Sequence, residues 1–222
     1  MNRNATTSTA SKKISAILAV VALALVFSVP QSNPVGASSG DPPTGRTGAP
    51  PSEGTCFDCH NDFTDNDPSF ALFDLYKDDF TTTYAPGDTI PMVIASGSTG
   101  MTRWGFEVTA LNSGNTAAGT FIDDGTYDRA RFAGGRYYVG HTDNYGSDGT
   151  FPGQANAAVW YFQWVAPAAG AGTITFYFSG VAADNDNTNG GDYVRTKTLA
   201  LTEEGTTDVE ATTWGRLKTL YR

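Results

Sequence analysis

From residue 70 to residue 202 the chain is a succession of short apolar runs, each closed by Gly, Asn, Asp or Pro, and that punctuation leaves little room for anything but an all-β domain. The runs are 70–76, 89–95, 104–111, 119–122, 136–141, 158–165, 173–181 and 194–202. Alternation is clearest in Thr173-Ile-Thr-Phe-Tyr-Phe-Ser179 and Thr196-Lys-Thr-Leu-Ala-Leu-Thr202. Period-two patterning is the mark of a strand with one buried face, because successive side chains leave a strand on opposite sides. About eight short strands at this spacing predict an antiparallel β-sandwich. The 13 Phe, 10 Tyr and 4 Trp supply bulk for its core, and no long helical period competes.

Ahead of the strands, Lys12 and Lys13 precede an apolar run from Ile14 to Val29, followed by Pro30 and the small-residue stretch Val35-Gly-Ala37. This is the layout of a secretory signal peptide over residues 1–37. An uncleaved anchor is the alternative, although the run is short for a spanning helix. Export would remove Arg3, Lys12 and Lys13 and leave 11 basic residues against 23 acidic ones. Such a surface repels polyanions, so nucleic acid is excluded as a partner. The expected address is the periplasm, the outer cell surface or the medium.

Residues 38–54 are rich in Pro, Gly and Ser without apolar periodicity, which predicts an extended linker. A polar segment, 55–69, follows. Beyond the sandwich, 203–222 reads as an acidic linker and an amphipathic tail: Trp214, Leu217 and either Leu220 or Tyr221 fall near one face of a short C-terminal helix. The linker and the tail are also the segments through which subunits could bridge.

The 55–69 segment contains Cys56-Phe-Asp-Cys59-His60. Together with His141 it accounts for both cysteines and both histidines of the chain. CxxCH spacing suits covalent haem c, with two thioethers from the cysteines and one axial bond from the adjacent imidazole. A disulfide between Cys56 and Cys59 would close a very small ring and stabilise little. Zinc on Cys56, Cys59, His60 and His141 would require neighbouring residues to reach one tetrahedral centre. A thioredoxin-type dithiol would want a βαβ setting that the pattern lacks.

Further along, Tyr84-Ala-Pro-Gly87, Trp104-Gly-Phe-Glu-Val-Thr-Ala110, His141-Thr142 and Phe162-Gln-Trp-Val-Ala-Pro167 with Gly172-Thr-Ile-Thr-Phe176 occur in the order of landmarks of the Reeler (reelin N-terminal) domain. The chain resembles that family over residues 70–202. The lead-in Gly48-Ala-Pro50…Glu53-Gly-Thr-Cys56 is similar to bacterial secreted Reeler-like proteins that carry CxxCH ahead of the sandwich. What the resemblance implies is an immunoglobulin-like β-sandwich, exported and often surface-associated, with an added haem-type peptide.

A six-coordinate, low-spin iron needs a second strong ligand, and His141, at the end of a predicted strand, is the other imidazole. A structural hydrogen-bonding role for His141 is the alternative, and Met92 and Met101 are fallback ligands. Arg129, Arg131 and Arg136 are candidate contacts for the haem propionates, since guanidinium forks suit carboxylates. Asp184, Asp186 and Thr188, in an Asn/Asp-rich loop, are candidate calcium ligands, with a tight polar hairpin as the alternative. With both histidines and both cysteines committed, a Ser–His or Cys–His nucleophile system cannot be assembled, so a hydrolase or transferase is not expected. The expected function is one-electron transfer with an unidentified redox partner protein. The alternative is an adhesion or ligand-binding module in which haem is absent or structural.

Overall fold

The computed structural model describes residues 40–205; the signal peptide expected over 1–37 and the short helix expected at the C-terminus lie outside the described residues. Ten strands are present among them: β1 (Leu72–Lys77), β2 (Thr83–Tyr84), β3 (Thr89–Gly97), β4 (Arg103–Leu111), β5 (Thr120–Ile122), β6 (Asp128–Ala133), β7 (Arg136–His141), β8 (Ala157–Val165), β9 (Ile174–Ala183) and β10 (Tyr193–Glu203). They form a four-stranded sheet ordered β1-β3-β8-β5 and a six-stranded sheet ordered β2-β10-β9-β4-β7-β6. All pairings are antiparallel except β2 with β10, which is parallel. Among the described residues, no helix is long and apolar enough to cross a membrane.

Eight of these strands coincide with the apolar runs to within two residues at either end. β2 and β6 add to them. β2 has only two residues, too few for a period to show. β6, Asp-Arg-Ala-Arg-Phe-Ala, is charged and sits at the sheet edge, where natural sheets place polar side chains.

Between the sheets lies a core rich in aromatic rings. Trp104, Trp160, Trp164, Phe106, Phe176 and Phe178 are all buried to within 2% of full enclosure. Phe106 packs on Trp160 at 4.7 Å between ring centroids, and Trp164 meets Phe176 edge-on at 4.9 Å. The indole N–H groups are satisfied by backbone carbonyls: Trp160 donates to Gly149, Trp164 to Ala118 and Trp104 to Gln154. Burying a Trp without such a partner would forfeit part of its hydrophobic gain. Met92 is fully enclosed in this core and Met101 packs partly buried against it.

β8 alternates buried and exposed residues as a half-buried strand should, whereas β4 is buried at every position after Arg103. Both faces of β4 are therefore covered. The inner face meets the core; the outer face is covered by residues 40–54. That segment has the irregular backbone its composition predicts, with one isolated bridge, Thr47 to Thr55, but it is not a free linker. Thr47 and Ala49 are buried, and the segment lies as a strap across the six-stranded sheet.

Charge holds the strap down. Arg129 reaches Asp41 (2.9 Å), Arg131 reaches the Pro42 carbonyl (2.7 Å), and Arg136 reaches Glu53 (2.5 Å) and the Pro50 carbonyl. The backbone N–H of Arg46 donates to buried Glu107 at 2.7 Å, and Arg131 also contacts Glu107 at 3.1 Å. Half-buried pairs of this kind fix geometry, because breaking one side leaves a charge poorly solvated.

Candidate functional site

Thr55 caps a single 3-10 turn, Cys56–Asp58, by accepting the Phe57 N–H on its side chain. The turn sits at the end of the strap and docks on the outer face of the six-stranded sheet. There the Cys56 N–H donates to Ser179 Oγ of β9 (3.2 Å), and Ser179 in turn receives Thr196 Oγ1 of β10 (3.0 Å). Burial pushes the Cys56 thiol up to about 12, against the lowering contact with Ser179. Cys56 and Cys59 are not joined by a disulfide.

His60 follows the turn. Its Nδ1 lies 2.5 Å from Oδ2 of Asp192, a carboxylate only 1% exposed at the end of the loop between β9 and β10. The same loop closes on Asp62, whose Oδ2 accepts the Gly191 N–H at 3.2 Å. Gly191 has φ +77°, a conformation that side chains rarely adopt, and this turn brings the loop down beside the CxxCH peptide.

His141 ends β7, where the ladder with β4 stops at the Glu107–Gly140 pair. Its imidazole takes over from the ladder: Nδ1 is 3.0 Å from the Phe106 backbone nitrogen and 3.2 Å from the Phe106 carbonyl oxygen. Either tautomer thus finds a partner, and a bond from Nε2 to a metal would select the one in which Nδ1–H donates to the carbonyl. The ring lies against Gly105; a Cβ there would stand 2.9 Å from His141 Cε1. Gly105 leaves the space that the ring occupies.

Cys56, Cys59, His60 and His141 line one pocket of about 50 Å³, completed by Pro42, Pro43, Arg46, Thr55, Gly105 and Val181. It adjoins an open cleft of about 200 Å³ that shares His60, Gly105, His141 and Val181, with Asn185, Asn187, Thr188 and Asn189 as its far wall. The strap, the CxxCH turn, β4, β7, β9 and the β9–β10 loop all contribute.

Of the other candidates, Thr188 alone lines the adjoining cleft. Arg129, Arg131 and Arg136 are engaged by Asp41, Glu107 and Glu53, and none of the three lines the pocket or the cleft. Arg103, which sequence reasoning did not single out, lines the cleft; its guanidinium is held by Thr150 (2.9 Å), Asp148 (3.1 Å) and Asn185 (3.3 Å). The loop oxygens expected to attract calcium serve the backbone instead. Asp184 accepts the Asp186 N–H, Asp186 accepts the N–H and hydroxyl of Thr188, and Thr188 accepts the Gly190 N–H. The Thr188 hydroxyl and N–H, both donated to it, hold the Asp186 carboxyl below its usual range. Among the described residues, no group of three or more His, Cys, Asp or Glu side chains is placed to hold a metal ion by itself.

The donor set fits haem c. Two thiols sit on one turn, an adjacent imidazole is oriented by a carboxylate, and a second imidazole faces the same pocket. The pocket alone, at about 50 Å³, is far smaller than the roughly 300 Å³ at the lower end of ligand sites.

No protein-family model and no curated protein matches the chain. Among solved structures, the chain is similar to the Reelin-N domain of F-spondin, at 21% identity over 65% of this chain and 94% of that one, with a TM-score of 0.44. The human F-spondin reeler domain matches at 20% identity over 64% and 96%, TM-score 0.41. The seventh ScaB type I cohesin from Pseudobacteroides cellulosolvens matches at 13% identity over 62% and 94%, TM-score 0.32.

Proposed function

We propose that this protein is an exported haem c carrier that passes single electrons, with the haem peptide strapped to a β-sandwich. The observation that carries the reading is the convergence of Cys56, Cys59, His60 and His141 on one pocket, although His141 comes from a strand far along the chain. Cys56 and Cys59 would anchor the haem covalently, and His60 and His141 would be the residues that ligate its iron. Arg103 and the Asn-rich loop face the cleft where propionates would find donors. Haem supplies a one-electron couple when bound; the residues around it orient the ligands and limit access of water.

The test is a visible spectrum of the full chain exported through a cytochrome c maturation system. Haem that survives acid–acetone extraction, with a six-coordinate low-spin spectrum, supports the reading. His141→Ala should turn that spectrum high-spin, and an unchanged one would remove His141 from the iron.

A second reading, a ligand-binding or adhesion module, has its own observation. On the other sheet a cleft of about 390 Å³ is lined by Tyr127, Phe151, Trp160 and Tyr161 with Asp124 and Gln154 at hand, and Tyr161 is 63% exposed. Exposed aromatic surface of this kind marks contact sites. Colourless protein from a host that attaches haem to other CxxCH chains would favour it over the carrier.

A further inference from the structure

We propose that Asp192 is the positioning residue for His60: it holds the imidazole with Nδ1 turned to the β9–β10 loop and Nε2 turned away, ready for a metal. The orientation of the ring rests on geometry alone. Its effect on iron rests on the haem reading of the site.

Burial and two contacts hold the carboxylate, and a third contact ties down its loop. Asp192 is 1% exposed, so water does not compete for its oxygens. Oδ2 meets His60 Nδ1 at 2.5 Å, while Oδ1 accepts the Asp184 N–H at 3.3 Å. The loop that carries it is tied to the CxxCH segment a second time, through Gly191 N–H and Asp62 Oδ2, two residues beyond His60. One hairpin loop therefore grips both the His60 ring and the chain just beyond it, and the His60 side chain keeps only 14% of its surface exposed.

A neutral imidazole carries one ring proton. With a buried carboxylate against Nδ1 that proton stays on Nδ1, and the lone pair stays on Nε2. The carboxylate also makes the ring a stronger electron donor, which favours the more positive, oxidised iron over the reduced one. Asp192 thus lowers the midpoint potential, and the β9–β10 loop becomes the element through which the sandwich tunes its haem.

Two variants and two preparations of the full chain test this. In protein made without haem, the ring nitrogen shifts of His60 should show Nδ1 protonated and Nε2 bare; Asp192→Ala should return the ring to a mixture of tautomers while His141 keeps its shifts. In haem-loaded protein, Asp192→Asn retains an acceptor but loses the charge. It should raise the midpoint potential with the low-spin spectrum intact, and Asp192→Ala should raise it further. A wild-type potential in both variants, or an unchanged His60 ring in Asp192→Ala, overturns the proposal. If the alanine loosens the loop, the potential of the isosteric Asn variant decides. Wild-type protein that takes up no haem would sink the carrier reading alone, leaving the nitrogen shifts to decide the role of Asp192.

Discussion

Asp128→Asn should flatten the pH dependence of stability, by an amount the structure sets. Asp128 opens β6 with no exposed surface. Its Oδ1 accepts the Asp124 N–H at 3.0 Å, but Oδ2 is buried without a hydrogen-bond partner among the described residues. Burial, with Asp124 and Asp123 adding like charge, pushes its carboxyl up to about 8 from an ordinary 3.8. Between those values the folded chain holds a proton that the unfolded chain has released. Stability from this group is then fully present below pH 3.8 and is lost as pH rises toward 8, at about 1.4 kcal/mol per pH unit. Wild-type protein should therefore lose stability from pH 5 to pH 7, and Asp128→Asn should lose less, by up to roughly 3 kcal/mol over those two units. Apart from Asp123 and Asp124, whose charges couple to Asp128, the titrating groups are shared and drop out of the difference. Urea unfolding at pH 5, 6 and 7, followed by fluorescence of the buried Trp104, Trp160 and Trp164, measures it. A difference between the two proteins that stays constant with pH refutes the reasoning, because an Asp128 that gains no proton on folding contributes no slope.

Three further outcomes rest on the same structure. Gly105→Ala places a Cβ 2.9 Å from the His141 ring, so it should cost about 1–3 kcal/mol in thermal unfolding and turn a low-spin haem spectrum partly high-spin. Glu53→Ala leaves Arg136 and the Tyr138 hydroxyl without the carboxylate that both contact, at 2.5 and 2.6 Å. It should destabilise the fold by about 2–4 kcal/mol and open residues 40–54 to limited proteolysis. The Cys56 thiol, pushed up to about 12, should react with a thiol-disulfide reagent at pH 8 about a thousandfold more slowly than an ordinary cysteine, followed by mass spectrometry of the haem-free protein.

The strands were legible because their signal is local. In β8 every second side chain, from Ala158 to Trp164, points into the core, and no knowledge of the rest of the chain is needed to see it. β4 shows where that stops. Gly105, Glu107 and Thr109 look like solvent positions in an alternating strand, yet all are buried, because the strap and the CxxCH turn arrive from far outside the strand. The Asp192–His60 contact is of the same kind, spanning 132 residues. Asp192 was visible as the last carboxylate of an oxygen-rich loop, and nothing local distinguishes a carboxylate that holds an imidazole from one that holds calcium or a turn.

Arg129, Arg131 and Arg136 make the distinction sharpest. Arg129 and Arg131 alternate along β6 and Arg136 begins the next strand, so the residue types alone announce a face that recognises carboxylates. That chemistry is present: the carboxylates are Asp41, Glu107 and Glu53, two of them delivered by a segment whose Pro/Gly composition forbids structure of its own. The strap is tied to the sheet largely through these arginines, and Arg129 and Arg136 have their carboxylate partners only because the strap brings them. Sequence can show each half of such a pair, because residue type fixes what a group can bind; only the fold decides which group it meets. The CxxCH turn is presented at the end of that strap, so its place against His141 depends on charge pairs made across β6 and β7, and Glu53→Ala should perturb a haem site that Glu53 never touches.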